Sequence, residues 1–215
     1  LTNMSEKDIE RVIRYHLEPI NISFQAMNPE LRCKMLHNRF AGKALDKVDM
    51  LYNAGITMNG QIVLCKGVND GDELEYSLEK LSAYAPILQS VSVVPVGLTK
   101  YRKGLYPLEP FNKEDAEKII DSYQKHLKPI AYELVFDNDE KETLRLIQKV
   151  RDSGARLFVN SLWPKLCGGH DDDRAVELHQ PDESWGWIIA QGAKLIQTDR
   201  PALLLEYLRN KKLHD

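Results

Sequence analysis

Residues 157–201 read LFVNSLWPKLCGGHDDDRAVELHQPDESWGWIIAQGAKLIQTDRP, and this stretch decides the fold class. The apolar run Leu157-Phe158-Val159 ends on Asn160-Ser161-Leu162-Trp163, a strand that releases polar groups at its carboxyl end. A polar loop follows, Cys167-Gly168-Gly169-His170-Asp171-Asp172-Asp173-Arg174. A helical segment then carries Trp185 and Trp187. A second short strand, Lys194-Leu195-Ile196-Gln197, delivers Thr198-Asp199-Arg200-Pro201. Strands with polar carboxyl ends, joined through a helix, make a barrel rim or the crevice of an open α/β sheet.

Upstream, the same alternation repeats. Ser5 with Asp8 three residues on predicts a capped helix, whose face carries Ile9, Val12, Ile13 and Leu17 up to Pro19. Ile20 to Gln25 alternates as a strand. Asn28-Pro29-Glu30 opens a helical turn through Leu36, and Ala44 to Ala54 reads as a helix with Leu45, Val48 and Leu51 inward and Gly55 as its stop. Gln61 to Leu64 is a strand, Glu73 to Tyr84 a helix, Val91 to Val94 a strand and Lys113 to Leu127 a helix. Ile130 to Phe136 and Glu140 to Arg151 form a further pair, closed by Gly154, and Leu203 to Arg209 is the last helix. The pattern predicts an α/β fold of alternating strand-helix units with about six parallel strands, forming a partial or closed (β/α) barrel. Right-handed crossovers then put every strand's carboxyl end on one edge.

Composition narrows the function classes. Of 215 residues, 43% are hydrophobic and 28% charged, which allows a sizeable core and excludes wholesale disorder. A net charge of -3 gives no reason to expect nucleic acid or an anionic membrane as partner. No apolar run approaches the roughly 18 residues of a membrane span. Leu1-Thr2-Asn3-Met4-Ser5-Glu6 lacks the basic and apolar regions of a signal peptide, and the absence of an initial Met reads as a start inside a longer protein. Cys33, Cys65 and Cys167 are too scattered for a disulfide framework or a thiolate cluster, and are expected as reduced thiols of a cytoplasmic protein.

Two family resemblances attach to different halves. Thr2-Asn3-Met4-Ser5, Asn28-Pro29-Glu30-Leu31-Arg32, Asn38-Arg39-Phe40-Ala41-Gly42, Gln61-Ile62-Val63-Leu64-Cys65, Gly67-Val68-Asn69-Asp70-Gly71 and Val93 through Arg102 carry the first. On these, residues 1 to about 126 resemble bacterial radical S-adenosylmethionine proteins that also carry a PDZ-like domain and a terminal domain of unknown function. The resemblance implies the later part of a partial (β/α) barrel whose strands and loops help hold the cofactor's ribose and amino-acid parts. Gln25 stands where a more strongly polar or basic residue is expected. The Cys-x3-Cys-x2-Cys loop that would ligate a four-iron cluster is not in this sequence, so no iron-sulfur cluster is expected from it.

Tyr132-Glu133-Leu134-Val135-Phe136, Phe158 through Trp163, Gly169-His170-Asp171-Asp172-Asp173, Gly186-Trp187, Gly192-Ala193 and Ile196 through Pro201 carry the second. Residues 130–215 resemble the carboxyl-terminal part of glycerophosphodiester phosphodiesterases, which implies the last three units of a (β/α)8 barrel. The family's catalytic histidines and metal carboxylates lie on early strands, and neither the His-Arg-Gly strand end nor the Glu-Asn pair that marks them occurs here. Both resemblances stop near residues 125–129. The expected organisation is a radical-enzyme-like segment, 1–127, and a phosphodiesterase-like segment, 128–215, in one continuous fold.

The candidate binding residues on the rim are Glu133, Asn160, Trp163, His170, Asp171, Asp199 and Arg200. Each has a plainer alternative. The acids beside His170 suit Mg²⁺ or Ca²⁺, with Asp171 and Asp172 as ligands, or form a solvated loop in which Asp173 caps the next helix. Asp199 either faces the mouth or caps the last helix, with Pro201 near its first position. Arg200 could meet phosphate. Trp163, Trp185 and Trp187 wall a pocket or pack in the core. Glu133, inside an apolar strand, lies at a polar barrel centre or faces helix ends, and exposure would remove it. The loop 67–71 matches no phosphate-cradling spacing and reads as a turn capped by Asp70 or Asp72. His16, His37, His126 and His179 read as surface residues.

Three functions stay open. The first is a chimeric barrel-type protein without a complete catalytic apparatus, retaining phosphate or metal binding at the strand carboxyl ends. The second is a metal-dependent phosphodiesterase, a hydrolase acting on glycerophosphodiesters. The third is an S-adenosylmethionine-binding remnant without its cluster. A small phosphate-containing ligand is the expected partner, and sheet edges left unpaired predict a homodimer.

Overall fold

The computed structural model describes residues 1–126 and 128–214, and of residues 122–126 the backbone alone. His126 therefore has its side chain outside the described residues. The chain divides into two compact units, Leu1–Asn112 and Lys113–Asp215.

In the first unit, strands β1 (Ile20–Ser23), β2 (Met58–Leu64) and β3 (Leu88–Pro95) form a parallel sheet in that order. Helix α1 (Glu6–Arg14) has the capping box that its sequence predicts: Ser5 accepts from Asp8 N–H, and Asp8 accepts from Ser5 N–H. Ile9 and Val12 are buried, but the helix stops at Arg14. It does not continue to Pro19, because Tyr15 ends it and His16 turns left-handed, so Leu17 is exposed rather than on the helical face. Helix α2 (Pro29–Met35) is capped by Asn28. A 3-10 turn, Lys43–Leu45, leads into α3 (Asp46–Asn53), which buries Val48 and Leu51. Helix α4 (Asp72–Ser82) buries Leu74, Ser77 and Leu81.

Strand β2 starts three residues before its apolar run. The sequence places its start at Gln61, yet Met58, Gly60, Ile62 and Leu64 alternate into the core. Gly60 pairs with Ile22 and Val91. A Cβ there would lie 2.9 Å from Phe24 Cε2 and 3.2 Å from Val91 Cγ2, so glycine is what lets the buried Phe24 ring rest on the strand.

In the second unit, β4 (Ala131–Leu134), β5 (Arg156–Asn160) and β6 (Ala193–Gln197) form another parallel sheet in that order. Helix α5 is Lys113–His126; α6 (Lys141–Asp152) turns Thr143, Ile147 and Val150 inward. Short helices α7 (Asp172–Val176) and α8 (Trp187–Ala190) and a single π-turn, Asp182–Gly186, occupy the β5–β6 crossover, and α9 (Pro201–Asn210) follows β6. Ile120, Leu134, Phe136, Ile147, Val150, Leu157, Val159 and Ile188 belong to one core cluster.

The α/β class and six parallel strands are as expected. The described strands form two three-stranded sheets, however, and no closed barrel. The alternation pauses after β3. Its ladder ends on Pro95, which has no N–H to donate, and residues 96–112, punctuated by Gly97, Gly104, Pro107 and Pro110, hold neither helix nor strand. No helix among the described residues is long and apolar enough to cross a membrane.

Substituting Gly60→Ala forces the Cβ into Phe24 or Val91. The expected outcome is a loss of roughly 1–3 kcal/mol, read as a lower urea midpoint for the first unit.

Candidate functional site

The carboxyl edge of β5 and β6 is assembled around one buried carboxylate. Asp172, 1% exposed, receives Ser161 Oγ and Trp185 Nε1 on one oxygen, at 2.7 and 2.8 Å. Its other oxygen receives Thr198 Oγ1 at 2.8 Å and the Asp199 N–H at 3.0 Å. Four donors from the ends of β5 and β6 and from the π-turn thus satisfy both carboxylate oxygens. Asp172 N–H donates to Ser161 O at 2.8 Å, which closes the ring of contacts.

Its neighbours are equally committed. Asp171 is the N-cap of α7, accepting from Asp173 and Arg174 N–H, so the cap expected of Asp173 falls two residues earlier. His170, 5% exposed, stacks on Trp187 with ring centroids 3.8 Å apart and 4° between planes. Its Nδ1 donates to Glu183 O at 2.6 Å and its Nε2 faces Asp139 Oδ2 at 3.3 Å. Ser184 Oγ lies within hydrogen-bond reach of both the His170 and the Asp171 carbonyls. Among the described residues no group of three His, Cys, Asp or Glu side chains is placed to hold a metal. The Asp171–Asp172 pair serves the fold: one carboxylate caps a helix and the other is saturated by protein donors.

Asn160 accepts from Leu162 N–H and donates to Gln197 Oε1 at 3.2 Å, tying the ends of β5 and β6. Asp199 does not cap α9. That position belongs to Arg200, whose N–H donates to Thr198 Oγ1, and Pro201 takes the first helical position. Arg200 reaches Glu177 at 3.5 Å and Asp173 and Asp199 at 3.7 Å, so its charge is already shared among three acids. Glu133 is exposed, which removes it from the site. Trp163 is 64% exposed, while Trp185 is buried in the core beside Ala175 and Leu204. Burial pushes the Cys167 thiol up to about 12, with the Asp171 charge adding to it, so this cysteine is inert.

The carboxyl edge of β1 and β2 is stitched by residues that the sequence did not single out. Asn69, read only as part of a turn, accepts from Cys65 N–H at 2.7 Å and donates to Gln25 O at 2.6 Å and Val63 O at 3.0 Å. Neither Asp70 nor Asp72 caps α4; Gly71, with φ of +55°, takes that position. Arg32 is buried and, among the described residues, forms no ion pair with an acid; it donates to the carbonyls of Phe24 and Ala41 and to Gln25 Oε1. Gln25 itself is left-handed, with φ of +60°, which turns its carbonyl toward Asn69. At the same edge Asn28 Nδ2 donates to Glu73 Oε1 at 2.9 Å, while Glu73 Oε2 is buried with no partner. Arg102 donates to Tyr106 O at 2.8 Å. Burial pushes the Cys65 thiol up, and the nearby Arg102 charge opposes it.

Comparison with known proteins also divides the chain in two, between residues 91 and 106. A family model described as a radical SAM-like domain matches residues 1–91. Another, described as a domain of unknown function, matches residues 106–208. No curated protein matches. A solved structure of a radical SAM methyltransferase from Sphaerobacter thermophilus is similar at 20% identity, covering 69% of this chain and 36% of that one, with a TM-score of 0.34. The chain thus spans about a third of that protein's length, and the overlap carries no weight for function. None of these matches is a glycerophosphodiester phosphodiesterase. The first match ends at residue 91, well short of the seam near 125–129 that the sequence suggested.

Asp172→Asn puts an amide donor against groups that themselves donate. The expected cost is about 3 kcal/mol, as two buried donors lose their acceptor, seen as a lower thermal midpoint with Trp185 emission shifted to the red. Calorimetric titration with Mg²⁺ or Ca²⁺ is expected to show no saturable binding; a stoichiometric heat would return Asp171 and Asp172 to the role of ligands.

Proposed function

We propose that the first unit is a segment of a radical-enzyme barrel that binds S-adenosylmethionine at the carboxyl edge of β1–β3 without supplying the cluster. The observation that carries this reading is Glu73 Oε2, a buried acceptor without a partner among the described residues, at the strand edge where the resemblance to radical S-adenosylmethionine proteins implies the cofactor. A ribose hydroxyl or an ammonium group is the kind of donor it lacks. Arg102, near Cys65 at the end of β2, is a cation for the methionyl carboxylate, and the exposed Tyr101 ring offers a face for adenine.

The cluster itself does not fit the thiols present. Cys65 and Cys167 are buried, and Cys33 accepts from Gly42 N–H at 3.2 Å and donates to Arg39 O. They stand on separate elements, so no three-thiolate set exists among the described residues, and no radical step is assigned to these 215 residues.

For the second unit, the phosphodiesterase reading rests on the sequence resemblance alone. With His170, Asp171 and Asp172 engaged in holding the fold, a binding rather than a hydrolytic role is the one proposed. No release of glycerol phosphate from glycerophosphocholine with Mg²⁺ is expected, and measurable turnover would overturn that part.

The direct test is calorimetric titration of the whole chain with S-adenosylmethionine. Saturable binding is expected, weakened at least tenfold by Glu73→Gln or Arg102→Ala. Absence of binding at millimolar ligand, or binding indifferent to both substitutions, would overturn the assignment.

A further inference from the structure

A cavity of about 610 Å³ opens in the second unit where β5 and β6 begin, at the end of the sheet opposite the rim. Arg151, Arg156 and Lys194 line it together with Gly154, Leu157 and Gly192, and no carboxylate does. Three local devices bring the cations there. Arg151 lies in the last turn of α6, and Gly154, with φ of +81°, reverses the chain so that Arg156 opens β5 two residues later. Lys194 sits at a register break: Ala193 pairs with Leu157 and Leu195 with Phe158, which leaves Lys194 as the extra residue of a bulge. A bulge re-aims the side chain it carries. Gly192 leaves the Arg151 side chain its place, since a Cβ there would lie 3.1 Å from Nε and 3.3 Å from Cδ.

Among the described residues none of the three cations has an acidic partner. Asp152, the nearest acid in sequence, accepts instead from Gln148 Nε2 at 2.7 Å. Favourable placement near the carboxyl end of α6 accounts for Arg151 but not for a cation opening a strand or one aimed by a bulge. Three like charges thus share one mouth with no acid in its lining, in a chain whose net charge is -3, and an anion placed there would meet all three.

We propose that this cavity binds a small phosphate-bearing anion of two or more negative charges. Two guanidinium forks match phosphate oxygens in pairs, and the ammonium adds a point charge. The volume falls within the roughly 300–1,000 Å³ of small-molecule sites. The sequence places the expected phosphate site at the carboxyl ends of the strands, where Arg200 lies among acids; the cations without acidic partners are at the other end. This site does not depend on the S-adenosylmethionine reading of the first unit.

The test is isothermal titration of the whole chain with pyrophosphate at low salt, beside the variant R151A/R156A/K194A. Saturable one-site binding is expected, at least tenfold weaker in the variant, with unchanged far-ultraviolet dichroism because all three side chains are exposed. Citrate, a carboxylate anion of comparable charge, is expected to bind several-fold more weakly. No saturable binding of pyrophosphate, or binding that the variant retains, overturns the site, and equal binding of citrate overturns the phosphate class. If the triple variant loses stability, K194A alone is expected to weaken binding about threefold, and no change there overturns the proposal.

Discussion

The Asp172 carboxylate is the constraint on which the second unit depends. Parallel strands end with polar groups that have no ladder left to join, and a crossover of short helices must then be fastened to them. One carboxylate does both by accepting from Ser161 at the end of β5, from Thr198 and Asp199 after β6, and from Trp185 in the π-turn. Its burial is tolerable only because each oxygen has two donors, and a partly satisfied version would cost more than an apolar residue in its place.

The first unit solves the same problem with neutral and cationic groups. Asn69 uses both ends of its amide to join β1 to β2, and Arg32 donates to the carbonyl of Phe24, in the turn after β1, and to that of Ala41. Polar side chains at strand ends are consumed by the fold in both units. What is left for a ligand is an imbalance among the described residues: an acceptor without a donor at Glu73, a buried Arg200 Nε with acids near but no hydrogen-bond acceptor, and cations without acids around Arg151.

Much of this was legible from local chemistry. The Ser5–Asp8 box, the Asn28 cap before Pro29 and the left-handed Gly55 and Gly154 are short-range devices, and each is found where the sequence places it. The errors share another cause. Helix α1 was read through to Leu17 because apolar spacing continues past the point where the backbone turns at His16. Strand β2 is expected from Gln61 rather than Met58 because a glycine with no side chain gives no sign that a phenylalanine ring covers it. The loop His170-Asp171-Asp172 stays open in the sequence between metal ligands and a solvated turn because a run of acids looks the same whether its oxygens face solvent or buried donors 13 and 26 residues away.

By itself the sequence determined the alternation of strands and helices, the parallel sense of the sheets, the Ser5 and Asn28 caps, and the absence of a three-cysteine cluster loop from these 215 residues. These follow from periodicity and from interactions within a few residues. Only the tertiary structure decided that the strands form two three-stranded sheets, that Asp172 is a clasp, and that Arg151, Arg156 and Lys194 share one cavity. Such outcomes depend on which distant groups meet, and a chain of residue types does not state its long-range contacts.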